Sequence, residues 1–233
     1  MNGKNIRKVN NKDIRKAIVL LSGGLDSLLT LAIAIENGYK VFPLHLNYGQ
    51  ITQSKEEQAF HNIIHYYEIT EKLIVDIEYL KKIGGSSLTD ENIRPENQQH
   101  SKIPNSYVPF RNANILAIAT SWAEVIAAES IFIGASEVDF SGYPDCRRIF
   151  FDSFEQTINY GTKPETDIKI ITPLIFMTKD EIVKKGIELK IPFELSWSCY
   201  YSNDIACGEC ESCKLRLKGF AKAGINDPIK YVK

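Results

Sequence analysis

Residues 17–38 read AIVLLSGGLDSLLTLAIAIENG, and this stretch decides the fold. Ala17 to Leu21 are continuously apolar and rich in branched side chains, the composition of a strand buried on both faces of a parallel sheet. A Ser22-Gly23-Gly24 turn follows. From Asp26 apolar residues recur at helical spacing until Gly38, where a C-terminal glycine belongs, so the pattern predicts a helix over 26–37. Strand, glycine turn and helix form one unit, and the chain repeats it. Residues 41–49 (VFPLHLNYG) read as a second strand, 54–68 as a helix with Ala59, Ile63, Ile64 and Tyr67 on one side, and 72–77 as a third strand. Further on, a helix over 112–129 leads into a strand at 130–136. A turn and an aromatic-rich amphipathic helix follow at 141–161, then a short strand at 168–171. Thr178 with Glu181 three residues later is a capping box opening a helix over 178–190, and a last helix spans 211–222. The alternation predicts an α/β class protein with a doubly wound, mostly parallel sheet over 16–195.

Two segments fall outside that rhythm. Residues 1–15 are polar and basic, lack the apolar middle of a signal peptide, and read as a disordered tail. Residues 84–106 carry Gly84, Gly85, Pro95 and Pro104 without any period, which predicts a long mobile loop near the site.

Composition excludes several function classes. With 44% hydrophobic and 24% charged residues in 233, the chain is ordinary globular material, long enough for a real core. Twenty-eight basic against 29 acidic residues give a net charge of −1, so no global field draws it to nucleic acid or to anionic lipid. Apolar runs such as 17–21 and 115–119 fall far short of the roughly 20 residues a bilayer span needs. Of five cysteines, four lie between 199 and 213, the pattern of an intracellular metal site rather than of disulfides, so a reducing, cytoplasmic location is expected.

The hexapeptide Ser22-Gly23-Gly24-Leu25-Asp26-Ser27 sits between the first strand and helix. Glycines there admit an anion to the backbone, and the free amides and positive dipole of a helix start cradle phosphate. No Gly-Lys-Ser/Thr follows, which excludes a Walker loop, and GxGxxG is absent. A chance match is on the order of 10⁻⁴ at typical composition. The plain alternative is a Gly-Gly turn capped by Asp26. The hexapeptide resembles the signature of the ATP pyrophosphatase (PP-loop) superfamily, of adenine nucleotide alpha hydrolase-like fold. That resemblance implies ATP contacts from Leu21, Ser22, Gly23, Gly24, Leu25, Asp26, Ser27 and Leu28, with Mg2+ beside the phosphates and release of pyrophosphate.

The second motif is Cys199-x7-Cys207-x2-Cys210-x2-Cys213, with Gly208 supplying freedom for tight knuckles. Four thiolates at short separations match a closed tetrahedral zinc site, structural because no ligand position stays open. An iron–sulfur cluster or unliganded structural thiols are the alternatives. The segment 196–233 thus reads as a small C-terminal zinc element.

The strings YGQ (48–50), YVPFRN (107–112), DFSGYPDCR (139–147), TPL (172–174) and WSCY…ACGECESCKLRLKGF (197–220) sharpen the resemblance. In order and spacing they are similar to the 7-cyano-7-deazaguanine synthase family of the queuosine pathway, and with SGGLDS they cover about 16–224. The resemblance implies a homodimeric ligase that converts 7-carboxy-7-deazaguanine, ammonia and ATP to the nitrile, with one zinc per subunit. The carboxylate is first adenylated, ammonia displaces AMP to give the amide, and a second activation removes the amide oxygen. It further implies catalytic roles for Asp26, Ser27, Arg111 and Asp145, ATP contacts from Arg111 and Asn112, and substrate contacts from Tyr143, Asp145 and Arg147. Phe110 stands where many members have a small residue.

Each residue also has a plainer reading. Asp145 could be a helix cap rather than the carboxylate that pairs with a deazaguanine edge, and Arg111 an exposed arginine at a helix start. Cys146 reads as a core thiol at a helix start, with pocket wall or nucleophile as alternatives. His61 and His65 lack a third ligand and read as a solvated helix face; His45 packs at a strand end; Lys214, Arg216 and Lys218 read as another solvated face. Two rival functions remain: a PP-loop tRNA-modifying enzyme, and a nucleotide-binding zinc protein without turnover.

Overall fold

In the computed structural model, which describes residues 14–93, 103–138 and 142–232, the opening stretch forms the predicted unit. β1 (Lys16–Leu20) is buried except at Lys16, and α1 (Leu25–Glu36) follows the glycine turn. The chain continues through β2 (Lys40–Asn47), α2 (Gln53–Tyr66), β3 (Leu73–Asp76), α3 (Tyr79–Ile83), α4 (Arg111–Ile126) and β4 (Ser130–Phe132). It ends with α5 (Arg148–Gly161), β5 (Lys169–Ile171), α6 (Lys179–Glu188) and α7 (Glu211–Ala223). The sheet order is β3-β2-β1-β4-β5 and every pairing is parallel, with Ile18 opposite Phe42 on one side and Ile131 on the other. Pro43 has no amide to give, and β3 joins β2 only from Leu44 onward.

The reason for helices on both faces is visible in β1 itself. Ile18 and Leu20 point into one core with Phe42, Leu116 and Phe151, while Ala17, Val19 and Leu21 point into the other with Leu28, Phe60 and Ile182. A strand apolar at every position must be covered twice. Winding outward from β1 in both directions also creates a switch point between β1 and β4, the place where open α/β sheets bind ligands.

Several boundaries differ from the sequence reading. β4 stops at Phe132 rather than 136, because the chain must pass the start of α1: a Cβ on Gly134 would lie 2.8 Å from both the Asp26 carbonyl oxygen and Thr30 Oγ1. The single-turn α3 was not anticipated. Within 84–106, Ser86 to Thr89 are buried and Ser86 Oγ donates to the Ser106 carbonyl (3.2 Å). Residues 94–102 of that loop, 1–13 of the tail and 139–141 of the 139–147 string lie outside the described residues.

Arg216 requires a correction. Lys214 and Lys218 are solvated, but Arg216 is 1% exposed and pairs with Asp227, Nε to Oδ2 at 2.7 Å and Nη2 to Oδ1 at 3.0 Å. Residues two apart on a helix point to opposite sides, so the three never shared a face. Among the described residues, no helix is long and apolar enough to cross a membrane.

Candidate functional site

A cavity of about 310 Å³ opens at the carboxyl ends of β1 and β4, where the winding reverses. Of the residues singled out as ATP contacts, Leu21, Ser22, Gly24, Leu25, Asp26, Ser27, Arg111 and Asn112 line it. Leu28 lies in the core instead, and Gly23 turns the chain behind the lining with φ +87°. A Cβ at Gly23 would stand 2.7 Å from the Glu56 carbonyl oxygen and 2.9 Å from Ala59 Cβ, so only glycine lets the loop rest on α2.

The loop is arranged as an anion receptor. Gly24 occupies the N-cap of α1 and has no side chain to cap it, which leaves the first-turn amides for a ligand. Ser22 Oγ donates to Ser27 Oγ (3.2 Å), and Ser27 Oγ donates to the Gly24 carbonyl (2.9 Å), so the hydroxyls brace the turn. Both Asp26 oxygens accept from Lys179 Nζ at 2.9 Å. Lys179, the first residue of α6, was missed in sequence because the Thr178–Glu181 capping box accounted for that helix start by itself.

At the far end, Arg111 Nη1 donates to the Tyr48 hydroxyl (3.1 Å) and its guanidinium lies 5.2 Å from that ring's centroid. Burial pushes the Tyr48 phenol up to about 12 despite the opposing Arg111 charge, so it stays a neutral hydroxyl. Tyr143 lines the same end and donates to Ser106 Oγ (2.8 Å).

Asp145 sits one layer behind the lining. Its Oδ2 accepts the Asn112 amide (2.9 Å), and Asn112 Nδ2 donates back to the Asp145 carbonyl (2.9 Å), so this carboxylate caps α4 from across the fold. Burial pushes its carboxyl up, against the Asn112 bond and the Arg111 charge. Arg147 is exposed, its Nε donating to the Pro144 carbonyl (3.0 Å), and is not part of the lining. Cys146 is in the cavity wall, with Asn112 Nδ2 donating to its Sγ (3.3 Å).

A second carboxylate in the cavity, Glu56, was not singled out in sequence. Thr52 Oγ1 donates to its Oε1 (2.7 Å) and Gln50 Nε2 to its Oε2 (3.1 Å). Burial raises its pKa, opposed by those two bonds and by the Arg111 charge. A signal existed: Glu56 stands one helical turn before Phe60, on the apolar side of α2.

The cysteine segment closes the other wall through Trp197, Ser198 and Tyr200. The four sulfurs of Cys199, Cys207, Cys210 and Cys213 lie within 4.8 Å of one another, with Cys207 Sγ and Cys213 Sγ 3.9 Å apart. Tetrahedral zinc at ~2.3 Å from each sulfur sets neighbouring sulfurs about 3.8 Å apart, so the donor set fits. Amides of Cys207, Cys210 and Cys213 each point at the sulfur of an earlier ligand, at 3.3–3.4 Å, and favour thiolates. Hydrogen bonds from the Cys210 and Cys213 thiols and from the Cys207 and Tyr201 amides hold the Cys199 thiol well below its usual range, while the Cys210 and Cys213 thiols that donate to it are pushed up. Among the described residues no second group of this kind occurs. His61 and His65 are solvated, while His45 is buried, its Nδ1 against the Leu21 carbonyl (2.9 Å). The element docks directly on the loop, the Trp197 amide donating to the Gly23 carbonyl (2.8 Å).

The sequence profile described as "Queuosine biosynthesis protein QueC" matches residues 16–224, from the first residue of β1 to the glycine that closes α7. The chain belongs to the QueC family. A relative from Chlorobium phaeobacteroides (strain DSM 266 / SMG 266 / 2430), named 7-cyano-7-deazaguanine synthase, is 59% identical over 218 residues, covering 93% of this chain and 96% of its own. One from Chloroherpeton thalassium (strain ATCC 35110 / GB-78), with the same name and the same coverage, is 56% identical. Among solved structures, a 4-thiouridine synthetase in an RNA complex with bound ATP superposes with a TM-score of 0.51 at 20% identity, over 86% of this chain and 46% of that one. That likeness establishes the shared fold of this QueC-family chain.

Proposed function

We propose that this protein is a carbon–nitrogen ligase that turns 7-carboxy-7-deazaguanine, ammonia and ATP into 7-cyano-7-deazaguanine, a step of queuosine biosynthesis. The observation that carries the reading is one cavity at the switch point, with the SGGLDS loop at one end and Arg111, Tyr48 and Tyr143 at the other, in a chain of this family. The α1 amides, with Ser22 and Ser27, hold the phosphates; Lys179 keeps Asp26 aimed toward them. Mg2+ arriving with ATP would be held by an Asp26 oxygen that shares its Lys179 contact, and would supply charge neutralisation as pyrophosphate departs. Arg111, fixed by Tyr48, and Asn112 hold the carboxylate end of the substrate next to the α-phosphate. Asp145 fixes the start of the helix that carries both.

Zinc is our assignment for the four cysteines, in a structural role, since four protein ligands leave no open position. Its element keeps Trp197 on Gly23 and water out of the cavity, which an acyl-adenylate requires. The reading extends to a homodimer in the cytoplasm, on family resemblance. The test is incubation with 7-carboxy-7-deazaguanine, ammonium and Mg-ATP. Mass spectrometry should find the nitrile and, at early times, the amide; pyrophosphate release without either product would refute the reading.

A further inference from the structure

The cavity lining contains two carboxylates, Asp26 and Glu56. Asp26 is committed to Lys179 through both oxygens. Glu56 receives only neutral donors, Thr52 and Gln50, and among the described residues no Lys, Arg or His stands within salt-bridge distance of it. Glu56 is therefore a cavity carboxylate with no salt-bridge partner of its own, the Arg111 guanidinium acting on it only from a longer range, and its free lone pairs offer a seat for a small cationic guest.

The local structure gives up something to make this seat. Thr52 occupies the N-cap of α2, where its hydroxyl would ordinarily accept an amide of the first turn, yet it makes no such bond and donates to Glu56. Gln50 accepts the Tyr48 amide through Oε1 (2.9 Å) while its Nε2 reaches Glu56, and Tyr48 in turn holds Arg111. On its other side the Glu56 backbone abuts Gly23 of the loop. Glu56 is thus tied to the loop through Gly23 on one side and to the Arg111 end through Gln50 and Tyr48 on the other.

We propose that Glu56, braced by Thr52 and Gln50, is the ammonium-receiving group of the cavity and the base that frees ammonia for attack. The inference rests on the ligase reading above. Ammonium transfers one proton to the Glu56 carboxylate. The lone pair of the resulting ammonia forms a C–N bond to the acyl-adenylate carbon, the C–O bond to AMP breaks, and AMP leaves with that electron pair. The surplus proton of the adduct passes to water, and Glu56 returns its own proton to solvent. In the second round the adenylated amide, as its neutral imidate, gives its last N–H proton to Glu56 as the C–O bond to AMP breaks and C≡N forms. The charged group facing Glu56 is the Arg111 guanidinium; Tyr48, Thr52 and Gln50 face it as neutral groups.

The experiment compares wild type and Glu56→Gln in two assays: substrate-dependent pyrophosphate–ATP exchange without ammonium, and amide plus nitrile formation with ammonium. The variant should keep exchange within about threefold, which also shows that it folds, while product formation falls by roughly 10²–10⁴. Raising the pH, so that ammonia arrives already deprotonated, should shrink the defect at least about tenfold. Unchanged product formation, or exchange and product lost equally, would overturn the assignment. Failure of the wild type itself in both assays would overturn the ligase reading beneath it.

Discussion

The SGGLDS loop and the cysteine element meet at a hydrogen bond, Trp197 to Gly23, but they are held by different forces. The loop is a backbone device strung between β1 and α1, whose side chains fill a core on each face of the sheet. The cysteine element has a small apolar cluster, built on Trp197, Ala206 and the cysteines, and on the proposed zinc reading relies on sulfur ligation together with the buried Arg216–Asp227 pair. Hydrophobic burial is distributed over many contacts, whereas ligation and ion pairing concentrate stability in a few atoms. The first should tolerate single losses and the second should not.

Loss of the proposed zinc should have the largest effect. Structural zinc supplies on the order of 10 kcal/mol in small zinc domains. Cys207→Ser should therefore expose the amides of α7 to hydrogen exchange while β1 stays protected. Equal protection of α7 in the variant would mean the element stands without its metal.

The Arg216–Asp227 pair comes next. Arg216→Met leaves Asp227 buried without its cation and should cost ~3–5 kcal/mol in urea unfolding, while Lys218→Met on the same helix should stay within about 0.5 kcal/mol. Equal effects would return Arg216 to the solvated face.

For the loop, Asp26→Ala should lower pyrophosphate release by ~10²–10³, the scale of a lost charge stabiliser, with little change in melting temperature. A variant that melts early but turns over normally would make Asp26 a structural cap. The smallest effect lies at Phe110, which holds φ +56° at the start of α4 and is 59% exposed. Phe110→Gly should raise stability by about 0.5–1 kcal/mol in thermal melts, since left-handed backbone strains residues with a Cβ. A loss instead would show that its edge contact with Phe150 outweighs the strain.

Legibility in sequence followed the range of the interaction. The β1–α1 unit, the Thr178–Glu181 box and the cysteine spacing are local, and each stands where its pattern put it. Contacts that close across the chain were out of reach: Asp145 caps a helix 33 residues earlier, and Lys179 meets Asp26 across 153 residues. Glu56 was readable but not singled out, and Arg216 was misjudged. A carboxylate on the apolar side of α2, and an arginine two residues from each flanking lysine, both point inward by helical geometry alone.

On the proposed ligase reading, one cavity removes both carboxylate oxygens of the substrate through two adenylations. Substrate labelled with oxygen-18 in its carboxylate tests it directly, with AMP and nitrile quantified by mass spectrometry. Two AMP per nitrile are expected, each carrying one labelled oxygen. Label found in inorganic phosphate, or nitrile formed with only one AMP, would contradict it.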